Sequence, residues 1–274
     1  MTPTGPDGRW LNRSSQRGGG ILMSDYESIV LTHRDGVTEI RFHTEGGPLR
    51  WTPEAHREAG YAFAEVAGDR ETKVVIVTGT GDSFCASIDR PAFAKLNIGV
   101  GGGNWEVTYW EGKRMLRNLL EIDVPVIGAV NGPAFIHAEM PLLADIVIAS
   151  DTTVFADKTH FTTGTVPGDG VHLIWPWLIG HRRAKYFLMM RQEIPVREAL
   201  ELGVVNEIVP HDQLMGRAWE IALEWAKWPL PHLRYTREAL NTFERQHLLT
   251  GLASGLALEG VSYSDAPPPP RPNS

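Results

Sequence analysis

A single cysteine, Cys85, is all the thiol that the 274-residue chain carries, which excludes an internal disulfide framework and any cysteine-rich zinc site. Basic charge is in deficit too. The chain has 26 Lys and Arg against 33 Asp and Glu, a net charge of −7 with His neutral. That balance argues against wrapping nucleic acid or lying on an anionic membrane. No apolar run approaches the roughly 20 residues of a membrane-spanning helix. Near the start, Ile21-Leu22-Met23 is too short for the apolar segment of a secretory signal, so the expected location is cytoplasmic.

What remains is ordinary for a globular protein: 42% hydrophobic and 22% charged residues, with 28 Gly and 19 Pro. A chain near this length buries roughly three quarters of its unfolded surface, enough for a core without staples. Residues 1–23, containing Gly18-Gly19-Gly20, and residues 264–274, containing Pro267 to Pro270, show no packing period and read as disordered tails. Met23 is an alternative start.

Between the tails, Asp35-Gly36 joins two strand-like runs, 28–32 and 37–42, as a hairpin. Thr52-Pro53-Glu54 has the form of an N-cap followed by Pro at the first helical position. Continuous apolar runs at 74–77, 124–130 and 146–149 fit strands covered on both faces. A helix is expected over 104–121 between the first two. After about residue 170 the pattern turns helical, at 182–190, 196–202, 212–227 and 231–258, with one short apolar run at 203–209. Strand–helix alternation of this kind predicts an α/β fold with crossovers.

Two strand-to-helix junctions stand out: Thr78-Gly79 through Phe84-Cys85-Ala86-Ser87, and Asn131-Gly132-Pro133 through Phe135-Ile136-His137. Each alone fits a tight connection. As a pair they can aim two N–H groups at one oxygen, forming an oxyanion hole. Gly101-Gly102-Gly103-Asn104 lacks a phosphate-loop lysine and reads as a flexible loop on the substrate side. Glu139 follows His137 by two positions, a spacing that does not face one ion on a helix, so no metal site is expected.

The runs 75–79, Phe84-Cys85-Ala86 with Asp89, 125–132, 144–150, 164–168 and 197–209 together resemble the crotonase (enoyl-CoA hydratase/isomerase) superfamily, in consistent order from about residue 26 to 261. The resemblance implies a ββα spiral (core 24–210), a C-terminal helical trimerisation region (211–263), an enolate-stabilising oxyanion hole, and a homotrimer or dimer of trimers. Departures narrow it. Coenzyme A-using relatives carry glycines where this chain has Ile136-His137-Ala138, and hydratases place catalytic Glu residues near Met140 and His160. A thioether cannot move a proton. Trp51-Thr52, Asn131-Gly132-Pro133 with His137, His160-Phe161, Val166-Pro167-Gly168-Asp169-Gly170 and Gly255 to Glu259 resemble the 6-oxocamphor hydrolase and β-diketone hydrolase branch. Those enzymes cleave a C–C bond between two carbonyls with water, using neither metal nor coenzyme A.

Residue by residue, His160 and Asp169 read either as a turn Asp with a surface His, or as a dyad in which Asp orients the imidazole that deprotonates water. The resemblance favours the dyad. His137, expected at the first turn of a helix and therefore neutral, is either a structural His or a carbonyl donor, and the resemblance favours the donor. Trp51 is either core or a wall of the substrate site. Glu259, in an apolar helix, becomes part of the site only by resemblance, orienting a His or handling a proton. Ala86 and Ser87 would supply backbone N–H groups beside that of His137, and Phe135 and Phe161 would contact substrate. The remaining histidines weighed, including His172, read as structural or exposed. The alternatives to a diketone hydrolase are a coenzyme A-dependent hydratase or lyase and a non-catalytic binding member of the superfamily.

Overall fold

A computed structural model describes residues 26–98 and 104–265. Residues 1–23, the glycines at 101–103 and positions 266–274 lie outside it. Asp35 and Gly36 both take positive φ, 54° and 78°, the geometry of a two-residue hairpin turn. They join β1 (Ile29–Arg34) to β2 (Val37–Phe42) in antiparallel register. The sheet continues through β4 (Val74–Thr78), β6 (Val126–Val130), β7 (Ile146–Ser150) and β10 (Glu207–Val209), each parallel to its neighbour. β4 and β6 are buried along their whole length, as continuous apolar runs require when both faces are covered.

After β2, β4, β6 and β7 the chain steps to a second, shorter layer. β2 leads to β3 (Leu49–Trp51) and β4 to β5 (Cys85–Ile88), and these two pair in parallel. Beyond β6, Ala134 bridges Cys85 on one side and Phe155 on the other. β7 leads to β8 (Val154–Phe155), which pairs with β9 (Ile194–Pro195). Long strand, short strand, helix: this repeat is the ββα spiral.

Helices close each turn. Thr52 caps α1 (Pro53–Gly68), its Oγ1 accepting from Ala55 N–H at 3.1 Å. Then come α2 (Arg90–Lys95), α3 (Trp105–Leu120), the single turn α4 (Glu139–Leu142), α5 (Val171–Ile179), α6 (His181–Met189) and α7 (Val196–Glu201). α8 (Leu214–Ala226) lays Leu214, Ala218 and Ala222 over Val74, Ile76, Ile127 and Ile148 on one sheet face. Val75, Val77, Val126 and Val130 face the main core on the other.

The helical stretch expected over 231–258 is broken into α9 (Leu230–Leu240) and α10 (Thr242–Asp265). Asp145, just before β7, draws the junction inward. Its carboxylate accepts from Val126 N–H at 2.6 Å, Arg237 Nε at 2.7 Å and Asn241 Nδ2 at 3.0 Å. Asn241 therefore ends α9 with its side chain committed to the core. Positions 264 and 265, expected in the tail, complete α10 instead. Among the described residues no helix is long and apolar enough to cross a membrane.

Arg237 is buried, so removing its partner strands a charge. Asp145→Ala should cost about 3–5 kcal/mol in chemical denaturation, the usual penalty for breaking a buried pair. A loss below about 1 kcal/mol would show that Asp145 does not hold this junction.

Candidate active site

The second layer sets the site, because the chain leaves it at one level on successive turns. Trp51 ends β3, His137 follows the Ala134 bridge, and Asp157 and His160 follow β8. The loop at 166–170 adds Asp169, and α10 adds Glu259. Those last two meet because backbone packs on backbone there. A Cβ on Gly168 would lie 2.1 Å from Gly255 O, and one on Gly255 would lie 2.1 Å from His172 Cε1. Any larger side chain at either position would push the loop off α10.

The result is a small cleft lined by Phe135, His137, Glu139, Asp157, His160, Asp169 and Trp175 among others. His160 is buried. Its Nδ1 lies 3.0 Å from Asp157 Oδ1, while its Nε2 lies 3.3 Å from Asp169 Oδ2 and 3.5 Å from Glu259 Oε1. Nε2 makes no hydrogen bond, and Asp169 Oδ1 and Glu259 Oε2 are likewise buried without a partner. Across the cleft, His137 Nδ1 stands 2.5 Å from Glu139 Oε1 and 3.7 Å from Asp169 Oδ2. The Trp51 ring packs on that of His137 with centroids 4.1 Å apart.

These contacts decide where the protons sit. Burial alone would lower the pKa of His160, but Asp169 and Asp157 outweigh it and hold the imidazole well above its ordinary value. Burial would raise Asp169, yet His160 holds it well below the usual carboxylate range. Burial pushes the Glu259 carboxyl up to about 7, against the pull of His160. Burial also raises Glu139, opposed by the His137 imidazole. Groups pushed apart in this way can give and take protons near neutrality.

Two expectations about His137 are corrected. It is not in the first turn of a helix: α4 begins at Glu139, and His137 takes φ +50° ahead of it. Nor is it held neutral by a helix end. Burial lowers its pKa, but the Glu139 carboxylate prevails and raises it. The spacing argument against a shared ion at His137 and Glu139 fails for the same reason, because the backbone there is not helical. Two trios, His137/Glu139/Asp169 and His160/Asp169/Glu259, place ligand-type atoms within 4.8 Å of one another.

Of the expected site residues, Trp51, Phe135, His137, His160, Asp169 and Glu259 come together. Ala86 and Ser87 run beside the 134–137 segment, where Phe135 N–H donates to Cys85 O at 2.8 Å, but neither is among the cleft-lining residues. Phe161 is 48% exposed and also lies outside the lining. His172, expected to be structural or exposed, is largely buried beside Asp169, and burial lowers its pKa. Sequence reasoning missed Asp157 and dismissed Glu139. It also missed His56, buried on α1 with Nδ1 3.0 Å from Glu111 Oε2 and its ring 6.0 Å from that of His137. The five-residue step from Trp51 to His56 across the Thr52 cap was the available signal.

The family model described as enoyl-CoA hydratase/isomerase matches residues 33–260. A short-chain-enoyl-CoA hydratase from Clostridium acetobutylicum is 31% identical over 88% of this chain and 91% of its own. A carnitinyl-CoA dehydratase from Proteus mirabilis is 32% identical over 72% and 73%. Among solved structures, a β-diketone hydrolase from the cyanobacterium Anabaena sp. PCC 7120, bound to (S)-3-oxocyclohexyl acetic acid, is 45% identical with a TM-score of 0.83, covering 88% of this chain and 95% of that one.

The proton on Glu259 has a consequence for stability. Between the ordinary carboxyl value of 4.5 and about 7, the folded protein holds a proton that the unfolded chain has released, so stability falls as pH rises through that window. Melting curves from pH 5 to 8 should show a smaller loss for Glu259→Gln than for the parent. Parallel losses would place the carboxyl at its ordinary value.

Proposed function

Since the chain belongs to the enoyl-CoA hydratase/isomerase family of the crotonase superfamily, we propose that its reaction is hydrolysis of a C–C bond in cyclic or bicyclic β-diketones, a retro-Claisen cleavage to keto acids. The observation that carries the reading is a buried imidazole, His160, faced by Asp157, Asp169 and Glu259 in a cleft whose opposite wall is His137. The 45% identity to a β-diketone hydrolase supports it. Met140, fully buried in the core, stands where the family resemblance implies a hydratase Glu, and it counts against the coenzyme A-dependent alternative.

In this mechanism the neutral form of His160, populated as pH rises toward its raised pKa, takes a proton from water beside Asp169, and the hydroxide attacks one carbonyl carbon. His137, backed by Glu139 and packed against Trp51, donates to the oxygen of the other carbonyl. Collapse of the tetrahedral alkoxide forms the carboxylic acid and breaks the bond to the α-carbon, whose electron pair becomes an enolate on the second carbonyl. Glu259, with its raised pKa, gives a proton to that carbon and is recharged with the proton that His160 Nε2, 3.5 Å away, took from water. The site then lowers the barrier by stabilising charge on both oxygens as it develops. No metal or coenzyme A takes part.

The reading includes self-association as a homotrimer or dimer of trimers. Tyr235, Leu240, Phe243, Leu249, Leu258 and Val261 on α9 and α10 and at their junction remain exposed, an apolar surface that a second copy would cover.

Three substrates separate the readings: a cyclic 1,3-diketone, its monoketone analogue and crotonyl-CoA. Only the diketone should be cleaved, because the monoketone offers no enolate leaving group. His160→Ala should lower turnover by roughly 10²–10⁴, the share of a general base, with the fold retained. Efficient hydration of crotonyl-CoA without diketone cleavage would overturn the proposal.

A further inference from the structure

We infer that Asp157 is a positioning residue: it holds the His160 ring by Nδ1, so that Nε2 is the nitrogen presented to the reacting water. The assignment of that water rests on the diketone hydrolase reading; the orientation of the ring does not. The expected dyad gave the orienting task to Asp169, and the geometry gives it to Asp157.

Three N–H groups converge on one oxygen. Asp157 Oδ1 accepts from Thr159 N at 3.1 Å, from His160 N at 3.2 Å and from His160 Nδ1 at 3.0 Å. The two backbone donors tie the carboxylate to the turn that carries the histidine, so it cannot swing away, and the carboxylate is buried. An ionised carboxylate only accepts, and the ring nitrogen facing it must therefore carry hydrogen. When the ring is neutral, Nε2 is left bare.

Asp169 is placed differently. It comes from the loop before α5, sits 3.3 Å from His160 Nε2 outside hydrogen-bond geometry, and also faces His137 Nδ1 at 3.7 Å. It lies between the two imidazoles. Glu259 approaches the same Nε2 from α10 at 3.5 Å. The order across the cleft is Asp157, His160, then Asp169 with Glu259, then His137 with Glu139. Asp157 faces Nδ1 of the base, and Asp169 and Glu259 face Nε2, the other ring nitrogen. A fixed tautomer is what a base needs from a partner behind it.

The test is His160 itself, followed by 15N NMR in histidine-labelled protein, with no substrate needed. Nδ1 should stay protonated through the titration, with Nε2 the nitrogen that loses its proton. Asp157→Asn keeps an oxygen for the two backbone N–H groups but removes the charge, so the titration of His160 should move to lower pH. Asp169, Glu259, Glu139, His137 and His172 remain around the ring, so the shift is partial. In diketone turnover the variant should lose more than about 10-fold and up to about 10⁴-fold in kcat, the upper figure being the loss when the aspartate orienting a catalytic histidine becomes asparagine, with KM nearly unchanged. Circular dichroism and melting check that it folds; if it does not, the parent spectrum decides alone. A neutral ring protonated on Nε2 would overturn the inference, as would a folded Asp157→Asn with the parent's titration and kcat. If the parent cleaves no diketone, the functional reading fails and the NMR result still stands for Asp157.

Discussion

Two imidazoles and four carboxylates buried around one small cleft form the constraint on which the rest of this structure depends. Taking an ionised carboxylate out of water is costly unless a partner or a proton compensates it. Here both remedies are used. Asp169 keeps its charge between His160 and His137, Asp157 keeps to one turn with His160, and Glu259 holds a proton up to about pH 7. The site is therefore set to exchange protons because it is buried.

The fold meets this constraint by delivering the groups from four places: His137 and Glu139 after the Ala134 bridge, Asp157 and His160 after β8, Asp169 from the loop before α5, and Glu259 from α10. The long-strand sheet is a filled apolar scaffold, and the chemistry sits where the chain departs from the short second layer. The glycine contact between the 166–170 loop and α10 then brings Glu259 to His160. At the other end of the same segment, the grip of Asp145 on Arg237 and Asn241 breaks the helical stretch and directs α10 back across α3 and α5. One polar contact outside the site thus fixes the helix that completes it.

Much of this was legible in the sequence, for identifiable reasons. The Asp35-Gly36 turn, the Thr52 cap and the apolar runs at 74–77 and 124–130 are local signals, and local hydrogen bonding and burial fulfil them. His160, Asp169 and Glu259 were found through resemblance to a family rather than through spacing. The roles of Asp157 and Glu139 were not legible, because a carboxylate two residues from a histidine meets it only off a helix, and one three residues away meets it only where a local turn brings the two together. At His137 that depends on a positive φ, and at His160 on a turn whose N–H groups fold onto Asp157. The break at Asn241 was hidden because its cause, Asp145, is distant in sequence.

The central claim is that water, activated within this cluster, divides a C–C bond between two carbonyls. Turnover of a cyclic 1,3-diketone in 18O-labelled water tests it most directly. The account predicts one solvent oxygen in the carboxylate of the ring-opened keto acid, with none in its ketone beyond ordinary exchange. In deuterated water, one deuteron should reach the carbon that the broken bond released. Recovery of intact, unlabelled-carbon-skeleton diketone, under conditions where the enzyme hydrates an enoyl thioester, would contradict the account.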